Sequence, residues 1–244
     1  SIQGLPPLEA LEDARGVFWH TGTRYHYAIS ELDSETLLQY VRSGGRLVLK
    51  GEDIGRYKIR SIHYLPSSQV KKEYLKPKLV FQKIIAHIQN PVPHIELMGV
   101  YDPIGVFTLH DTAVIYHIED KLLLTSLLGL LNSKFASWFY YNYTYNRAIR
   151  TMDLIDYYAK QLPIPKELVK NRVVANLAIY LSVITQNDQE PIGVFLDNLL
   201  DCVIYELYFK EKFIEDSKKA IGEGREPIYP KLEKGPFLID FVAK

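Results

Sequence analysis

The sequence predicts an α+β (mixed α/β) fold with a strand-rich first half, a packing helix and a helical C-terminal part. Two observations support this class. Between residues 46 and 117, apolar residues alternate with polar ones in short runs separated by Gly, Pro and Asn, which is typical of half-buried strands. After Glu119 the apolar period becomes helical. The chain has 244 residues, 47% of them hydrophobic, which is ample material for a core.

The strands are expected to be short. Aromatic residues alternate around a Thr-Gly-Thr turn in residues 17–29, and Gly51 and Gly55 bracket a turn between two further runs. The run at 79–88 is apolar and rich in β-branched residues, and a Pro-containing cluster ends it. The predicted strands span residues 17–29, 47–49, 57–64, 79–88, 95–101, 106–109 and 113–117.

The helices are predicted from their caps and breaks. Ser34 can cap a short helix that stops at Gly44-Gly45, and Pro77 ends another because proline disfavours helix in the preceding residue. The stretch 122–141 is apolar on nearly every helical face, so we expect it to be buried on more than one side. The predicted helices span residues 35–41, 68–76, 122–141, 149–160, 166–185 and 191–215, and residues 222–236 are expected to form a loop.

The composition argues against a membrane or disulfide-rich protein. The most apolar stretch, residues 122–131, has half of the roughly 20 residues that a membrane span needs. The first residues are polar and interrupted by proline, unlike a signal peptide. The lone cysteine, Cys202, lies in an apolar helical run and is expected to be a buried thiol. These features predict a cytoplasmic protein with no membrane association.

No convincing active site is evident. The sequence contains no Gly-rich nucleotide loop, no Gly-x-Ser-x-Gly elbow and no His/carboxylate group with metal-ligand spacing. Asp216-Ser217-Lys218 matches one end of a nuclease site, but it lacks a partner acid on a preceding strand and fits a solvated helix end. We therefore expect no catalytic residue, no metal and no cofactor in this chain.

The charge is zero overall but segregated along the chain. Residues 42–83 hold eleven Lys/Arg against three acids, and residues 121–172 hold eight against three. Residues 84–120 hold five acids and no Lys or Arg, and residues 1–41 and 173–244 each carry a net charge of −4. If the fold brings the two basic blocks together, they form one positive face for nucleic acid. The alternative is that they lie on different faces and are only solvated.

The first basic block has an alternating pattern. Arg56, Lys58 and Arg60 alternate with Tyr57 and Ile59, so on a strand the three cations share one face. From such a face guanidinium groups can reach phosphates or guanine edges.

The second basic block has two arginines just after an Asn- and Tyr-rich stretch, residues 141–146. Tyr, Asn and Arg together suit contacts with base edges and the DNA backbone. Alternatively, the tyrosines at 140, 141, 143 and 145 pack against the sheet. Lys71, Lys72, Lys76, Lys78 and Lys83 add nonspecific attraction to phosphates. The predicted DNA-binding residues are Arg56, Lys58, Arg60, Lys83, Arg147 and Arg150.

Five short segments carry a family resemblance. They are KGEDIGRY (residues 50–57), KPKLV (76–80), LLGLLNSK (127–134), LPIP (162–165) and DCVIYELY (201–208). In order and spacing they resemble the TaqI-like C-terminal specificity domain of type IIG restriction-modification enzymes and related adenine-specific DNA methyltransferases. Type I specificity subunits share the Asn-Ser-Lys helix, but their usual Gly-Ser/Thr loop is missing between residues 141 and 162.

The resemblance implies a target-recognition domain that chooses the DNA sequence, in a bacterial or archaeal restriction-modification system. The Asn-Pro-Pro-Tyr-type motif and the S-adenosylmethionine loop of the family's methyltransferase domain do not occur here. The implied parent is an adenine-N6 methyltransferase, with or without endonuclease activity, whose catalytic domain and S-adenosylmethionine lie outside this sequence. Residues 1–165 would be the recognition domain, with a linker within residues 1–20, and residues 166–244 a helical region.

The implied partners are double-stranded DNA and the parent's own methyltransferase domain or a partner subunit. Other functions stay open from the residues alone. The chain could be a protein-interaction module, a type I-like specificity subunit, or a small enzyme whose site the sequence does not reveal. Salt dependence separates the first of these from DNA recognition, because counterion release makes DNA binding steeply salt-dependent.

Overall fold

The fold was obtained as a computed structural model that describes residues 18–21, 46–65, 76–105, 107–109, 113–186 and 190–224. Within these ranges, helices and small, mostly antiparallel sheets coexist, which confirms the α+β class. Several predictions lie outside the described residues: the helix at 35–41, nearly all of the helix at 68–76, most of the strand at 17–29 and most of the loop at 222–236.

The described strands form a four-stranded sheet, a three-stranded sheet and two strand pairs. The strands are β1 (Phe18–Thr21), β2 (Arg46–Leu49), β3 (His63–Leu65), β4 (Lys78–Gln82), β5 (Ile84–Ile85), β6 (His87–Ile88), β7 (His94–Ile95), β8 (Gly99–Asp102), β9 (Phe107–Leu109), β10 (Ala113–His117) and β11 (Met152–Asp153). The large sheet has the order β1-β10-β4-β8 and is antiparallel throughout. In the smaller one β2 pairs antiparallel with β3 and parallel with β9, and the strand pairs are β5–β11 and β6–β7.

The helices follow the four-stranded sheet in the chain. They are α1 (Lys121–Asn132), α2 (Lys134–Phe139), α3 (Asp156–Ala159), α4 (Arg172–Gln186) and α5 (Glu190–Gly222). A π-helical turn, Tyr140–Thr144, extends α2. Short 3-10 turns occupy Gly51–Asp53 and Lys166–Lys170.

The predicted helix at 122–141 is interrupted at Ser133. This residue has an extended conformation, with φ −68° and ψ 155°, and its hydroxyl caps α2 by accepting a hydrogen bond from the Ala136 N–H (3.1 Å). Serine is a good cap because its side-chain oxygen satisfies a backbone donor that the helix leaves unpaired. The Asn-Ser-Lys motif therefore ends one helix and begins the next.

The predicted helix at 149–160 is wrong over most of its length. Residues Met152–Asp153 form β11, which pairs with β5, and only Asp156–Ala159 is helical. The backbone N–H of Leu154 also donates to the Lys83 carbonyl (2.6 Å). Pairing with a distant strand outweighs the local helical pattern here, as tertiary contacts often do for short segments.

The two halves of the described chain share one hydrophobic core. Ten of the twelve residues of α1 are buried, because α1 contacts β4 and β8 on one side and α4 on another, so the expectation that it is buried on more than one side is confirmed. The core continues into α5 through Leu200, Val203 and Ile204. The division into a recognition domain and a helical region at residue 165 stays a prediction.

Among the described residues, no single helix is long and apolar enough to cross a bilayer. The helix α1 and the segment 134–144 reach the required length and apolar composition only when they are taken together, and a bend of 59° separates them.

Candidate nucleic-acid interface

Two of the sequence motifs meet at Gly99 in β8. The side chain of Asn132, at the end of α1, accepts a hydrogen bond from the Gly99 N–H (2.8 Å) and donates one to the Gly99 carbonyl (2.9 Å). The Tyr57 N–H donates to the same carbonyl (3.1 Å). A side chain at position 99 would overlap the ring of buried Phe81, so the position needs glycine. The motif residues thus hold the two segments together from the inside.

The carboxylate of Asp53 organises the segment that follows β2. It is 1% exposed and accepts hydrogen bonds from the Lys50 N–H (2.7 Å) and the Ser61 hydroxyl. It also lies 3.1 Å from Nε2 of His63. A buried carboxylate is costly unless such donors satisfy it. The Asp of KGEDIGRY therefore has an internal role, holding residues 50 and 61–63 against each other.

The chain makes a tight turn where a strand was predicted. The Gly55 N–H donates to the Lys58 carbonyl (2.7 Å), and Tyr57 has a left-handed backbone with φ 61°. A left-handed residue breaks the alternation of side chains that a strand provides. The prediction that Arg56, Lys58 and Arg60 lie on one strand face is therefore wrong, and only the end of the predicted strand at 57–64 is found, as β3.

Arg56 is engaged inside the molecule by carboxylates of α5. Its Nη2 lies 2.7 Å from Oδ1 of Asp197 and 3.6 Å from Oδ2 of Asp201. Lys134, at the start of α2, places Nζ 3.1 Å from Oδ2 of Asp201 and donates its backbone N–H to Oδ1 (2.9 Å). Two cations and two carboxylates thereby tie the turn, α2 and α5 together. We call Arg56, Lys134, Asp197 and Asp201 the charge cluster.

The Arg56–Asp197 pair of the charge cluster is largely shielded from water. Burial raises the pKa of Asp197 above its usual range, although the adjacent Arg56 opposes the rise. The side chains of Arg56 and Asp197 are only 20% and 23% exposed. Removing one cation would leave a carboxylate largely out of water without its partner, which is costly. The cluster therefore positions the turn.

Tyrosines in the Asn- and Tyr-rich stretch before Arg147 anchor this part of the second basic block to the body of the protein. The hydroxyl of Tyr140 donates to the Ala159 carbonyl (2.7 Å), and that of Tyr145 donates to the Asp153 carbonyl (3.0 Å). Of the tyrosines at 140, 141, 143 and 145, three are buried and Tyr143 is 65% exposed. The packing alternative therefore holds for three of them.

The backbone after the π-helical turn is held in an uncommon conformation. Asn146 and Arg147 both have positive φ, 49° and 56°, which costs a non-glycine residue about 1 kcal/mol or more. Hydrogen bonds from the Arg147 N–H to the Tyr141 carbonyl (2.8 Å) and from the Ala148 N–H to the Tyr145 carbonyl (3.0 Å) stabilise it. The position of Arg147 is thus set by the surrounding backbone.

A relay of hydrogen bonds orients the side chain of Arg147. Its Nε donates to Oδ1 of Asn142 (2.9 Å), and Nδ2 of Asn142 donates to the Trp138 carbonyl (2.8 Å). Arg147 is exposed to solvent, and Trp138 is 43% exposed. Within the described residues, no residue pairs with the two Nη nitrogens of Arg147.

A pocket of about 800 Å³ lies between α2 with its π-helical turn and residues 91–96. Among the described residues that line it, three are arginine or lysine (Arg56, Lys134 and Arg147) and one, Glu96, carries a carboxylate. The two basic blocks therefore contribute one arginine each to the same concave surface. The pocket is far smaller than a DNA duplex but within the size range of small-molecule sites, so a part of the DNA as large as one nucleotide could enter it. Its other lining residues are Pro91, Val92, Pro93, His94, Ile95, Ser137, Trp138, Tyr141 and Asn142.

A comparison with protein-family models identifies this region. Residues 46–164 match the model of the TaqI-like C-terminal specificity domain. This part, just under half of the chain, is similar to that family. The match confirms the family resemblance over the segments 50–57, 76–80 and 127–134 and most of 162–165, whereas 201–208 lies outside it. It also contains the turn at 55–58 and the segment with Arg147. No curated protein matches the chain.

The other four predicted contact residues do not line the pocket. Arg60 is exposed, and its guanidinium lies 3.4 Å from the Glu52 carbonyl and 3.3 Å from the sulfur of Met98. Arg150 is exposed, whereas Lys58 and Lys83 are half-buried. Among the described residues of the predicted set, only Arg56 and Arg147 share the pocket. The DNA-binding role of all six stays a prediction.

Two lysines expected to attract phosphates are used differently. Lys78 is completely buried and forms an ion pair with Asp102, which also accepts hydrogen bonds from the N–H groups of Gly105 and Phe107 (2.8 and 2.9 Å). Lys76 pairs with Glu119 (2.8 Å) on the surface. Lys78 therefore stabilises the specificity domain internally, while Lys71 and Lys72 lie outside the described residues.

Sequence reasoning missed three pocket residues, Lys134, Trp138 and Asn142. A usable signal existed, because a spacing of four places them on one face of a helix. The helix prediction for 122–141 obscured it, since an uninterrupted apolar helix suggested that every face was buried.

Three features considered as possible chemistry are a metal site, the Asp216-Ser217-Lys218 motif and the thiol of Cys202. Among the described residues, no group of three His, Cys, Asp or Glu side chains could hold a metal ion. Asp216 pairs with Lys212 one helical turn earlier (2.9 Å) and is partly exposed. It is therefore solvated as expected, but it does not lie at a helix end, because α5 continues to Gly222. Cys202 is exposed, so the expectation of a buried thiol was wrong; the apolar run that contains it turns its other residues inward.

Proposed function

We propose that this chain recognises a DNA sequence on behalf of a restriction-modification enzyme. The observation that carries the proposal is the match of residues 46–164 to the TaqI-like C-terminal specificity domain. The pocket supports it, because Arg56 and Lys134 share its lining with the exposed, oriented Arg147. Positive charge beside a concave surface attracts the phosphates of a duplex, and an arginine fork can read a base edge.

The parent enzyme in this proposal is an S-adenosylmethionine-dependent adenine-N6 methyltransferase of type IIG, with or without an endonuclease activity. Such an enzyme extrudes its target base from the stack, while the specificity domain holds the duplex in register. Its cofactor and catalytic residues are expected in a domain outside this sequence. The setting proposed is the cytoplasm, where the DNA and the methyl donor are present.

The proposed contacts divide into two kinds. Arg147, Arg150 and Arg60 are exposed and can reach DNA directly, and the half-buried Lys58 and Lys83 can add attraction to phosphates. Arg56 is committed to the charge cluster, so we assign it a positioning role with a secondary electrostatic one. Phosphate contacts fix the register, and base contacts choose the sequence.

A second candidate is favoured by a separate surface, where the chain would bind a methyltransferase domain or subunit as type I-like specificity subunits do. Large apolar side chains are exposed near the junction of α4 and α5. Val183 is 55% exposed, Ile192 52% and Phe195 65%, and exposed apolar groups in one region mark contact sites for proteins. The two candidates are compatible, because a specificity domain needs both DNA and its catalytic partner.

The decisive experiment selects binding sites from a pool of random duplex DNA with the 244-residue chain and then measures affinity as a function of salt. We expect an enriched sequence and a slope of log K against log[salt] of about −3 or steeper, equivalent to roughly three or more neutralised phosphates. No enriched sequence together with a shallow slope would exclude DNA recognition and favour the protein-binding candidate.

The methyltransferase part of the proposal needs its own test. The natural protein that contains this sequence is expressed in a host that lacks adenine methylation, and N6-methyladenine is mapped across the host DNA. We expect methylation within the sequence that the selection enriches. Recognition of the same sequence without N6-methyladenine would leave the specificity role intact and reject this parent activity.

A further inference from the structure

The side chain of Arg147 has the features of a further recognition site. It is exposed, lies beside the pocket and is held at Nε by Asn142. This contact uses the Nε–H of the guanidinium. Within the described residues, the two Nη nitrogens remain available to a ligand. An arginine with this arrangement presents a planar, two-pronged donor.

The support for this fork is rigid. Asn142 is held in turn by the Trp138 carbonyl (2.8 Å), which settles which side of its amide faces Arg147, since only the oxygen can accept from Nε. The backbone of Arg147 has φ 56° and is tied to Tyr141 (2.8 Å), and Tyr141 is buried. Uncommon backbone conformations persist where the surroundings determine them, and they cluster at functional sites.

We propose that Arg147 reads a guanine in the major groove and that Asn142 is its positioning residue. This inference rests on the proposed function and names the base that one side chain of the specificity domain selects. Guanine offers two acceptors, O6 and N7, at the spacing of the two outer guanidinium nitrogens. A phosphate can also take a bidentate guanidinium, but it accepts the point charge of a lysine as well. The two acceptors of guanine lie in one plane, so they favour a fork whose orientation is fixed in advance, as the relay through Asn142 fixes it here.

Two aromatic rings next to the relay favour a base over a bare phosphate as the partner of Arg147. Trp138 and Tyr143 are 43% and 65% exposed and stand edge to face, with ring centroids 5.5 Å apart. Both can pack against sugar and base surfaces beside the guanine, because aromatic faces suit such contacts. These residues would limit how far the fork can move across the groove.

The first test uses the enriched duplex from the site selection and replaces each guanine in turn by 7-deazaguanine, which lacks the N7 acceptor. We expect one position at which the unsubstituted protein loses about 5- to 150-fold in affinity, while Arg147→Ala shows no further loss there. The inference is overturned if Arg147→Ala distinguishes guanine from 7-deazaguanine at every position as strongly as the unsubstituted protein does.

Two companion variants separate a base contact from a phosphate contact. Arg147→Lys keeps the charge but loses the fork, so a base reader should lose its preference at that guanine nearly as fully as Arg147→Ala does. Retention of the preference by Arg147→Lys would assign Arg147 to a phosphate. Arg172→Ala removes an exposed arginine at the start of α4, away from the pocket lining, and should leave the preference unchanged.

The positioning role of Asn142 has a separate readout. Asn142→Ala should reduce the discrimination between guanine and 7-deazaguanine at the Arg147 position by several-fold, with affinity for unrelated DNA and thermal stability unchanged. Unaltered discrimination would remove Asn142 from the proposal. If the initial selection yields no preferred sequence, the proposed function fails first; if it yields one that Arg147 does not influence, only this inference fails.

Discussion

At the scale of single residues, the family motifs are mainly internal. Asp53 is 1% exposed and accepts from a backbone N–H and a hydroxyl, and Asn132 is completely buried and pairs with both backbone groups of Gly99. Polar side chains with such partners are replaceable only at the cost of leaving buried groups unpaired. The motifs that carry the resemblance to the specificity domain therefore describe its frame. Of the six predicted DNA contacts, all except Arg56 lie between these motifs.

Arg56 provides a test of this distinction. Arg56→Ala should lower the free energy of unfolding by about 1–3 kcal/mol, between the values for exposed and fully buried ion pairs, because Asp197 loses its nearest cation. Urea denaturation followed by circular dichroism measures the change.

The matched control for Arg56 is Arg60, four residues later. Arg60 is exposed, and within the part of the chain that the structure describes its side chain makes only long contacts, with the Glu52 carbonyl and Met98. Arg60→Ala should therefore change the free energy of unfolding by no more than about 0.5 kcal/mol. Equal stabilities for the two variants would show that the charge cluster does not hold the turn.

At the scale of elements, the sequence located strands better than it located helix ends. The predicted strands at 47–49 and 113–117 correspond closely to β2 and β10, because alternation over a short run depends on local pattern alone. The predicted helix at 149–160 failed because its central residues pair with β5. The strand at 57–64 failed because the left-handed Tyr57 and the buried Asp53 impose a turn. The first error comes from a strand partner far away in the chain, and the second comes from contacts of Asp53 with residues three to ten positions away.

The junction of α1, β4 and β8 leads to a prediction at Gly99. Gly99→Ala should lower the free energy of unfolding by about 1–3 kcal/mol, the usual cost of overpacking, because the new methyl group would overlap the completely buried Phe81 ring. Chemical denaturation of the two proteins under identical conditions gives this difference.

Gly222, the last residue of α5, is the control for this substitution. An added methyl group there meets no atom within 4 Å, and alanine favours the helix, so Gly222→Ala should be neutral or slightly stabilising. A Gly99→Ala protein as stable as Gly222→Ala would contradict the close approach of β8 to Phe81.

At the scale of the whole molecule, one core spans both predicted regions. The core residues Val174 and Ala178 of α4 lie against α1; a methyl group on Gly129 would approach both within 3.4 Å. Tyr208 of α5 donates a hydrogen bond to the Pro163 carbonyl, so the Leu-Pro-Ile-Pro segment is held by the C-terminal helix. The helical region therefore completes the hydrophobic core around α1.

This shared core predicts the behaviour of a shortened chain. A protein of residues 1–165 lacks α4 and α5, which would expose the α4-facing side of α1 to water, so we expect no cooperative urea transition and no near-ultraviolet circular dichroism. The full-length chain, measured in parallel, should show both. Cooperative unfolding of residues 1–165 would instead establish an independent recognition domain that ends there.

The sequence by itself determined the family, the α+β class and the two basic blocks, because motif order, apolar period and charge are properties of the linear chain. The tertiary structure alone decided which charged groups meet. It placed Arg56 against carboxylates about 140 residues away, buried Lys78 against Asp102 and brought Arg147 to the same pocket as Lys134. The physical reason is that a charged side chain acts through its neighbours and its burial, and both are set by the folding of distant segments onto one another.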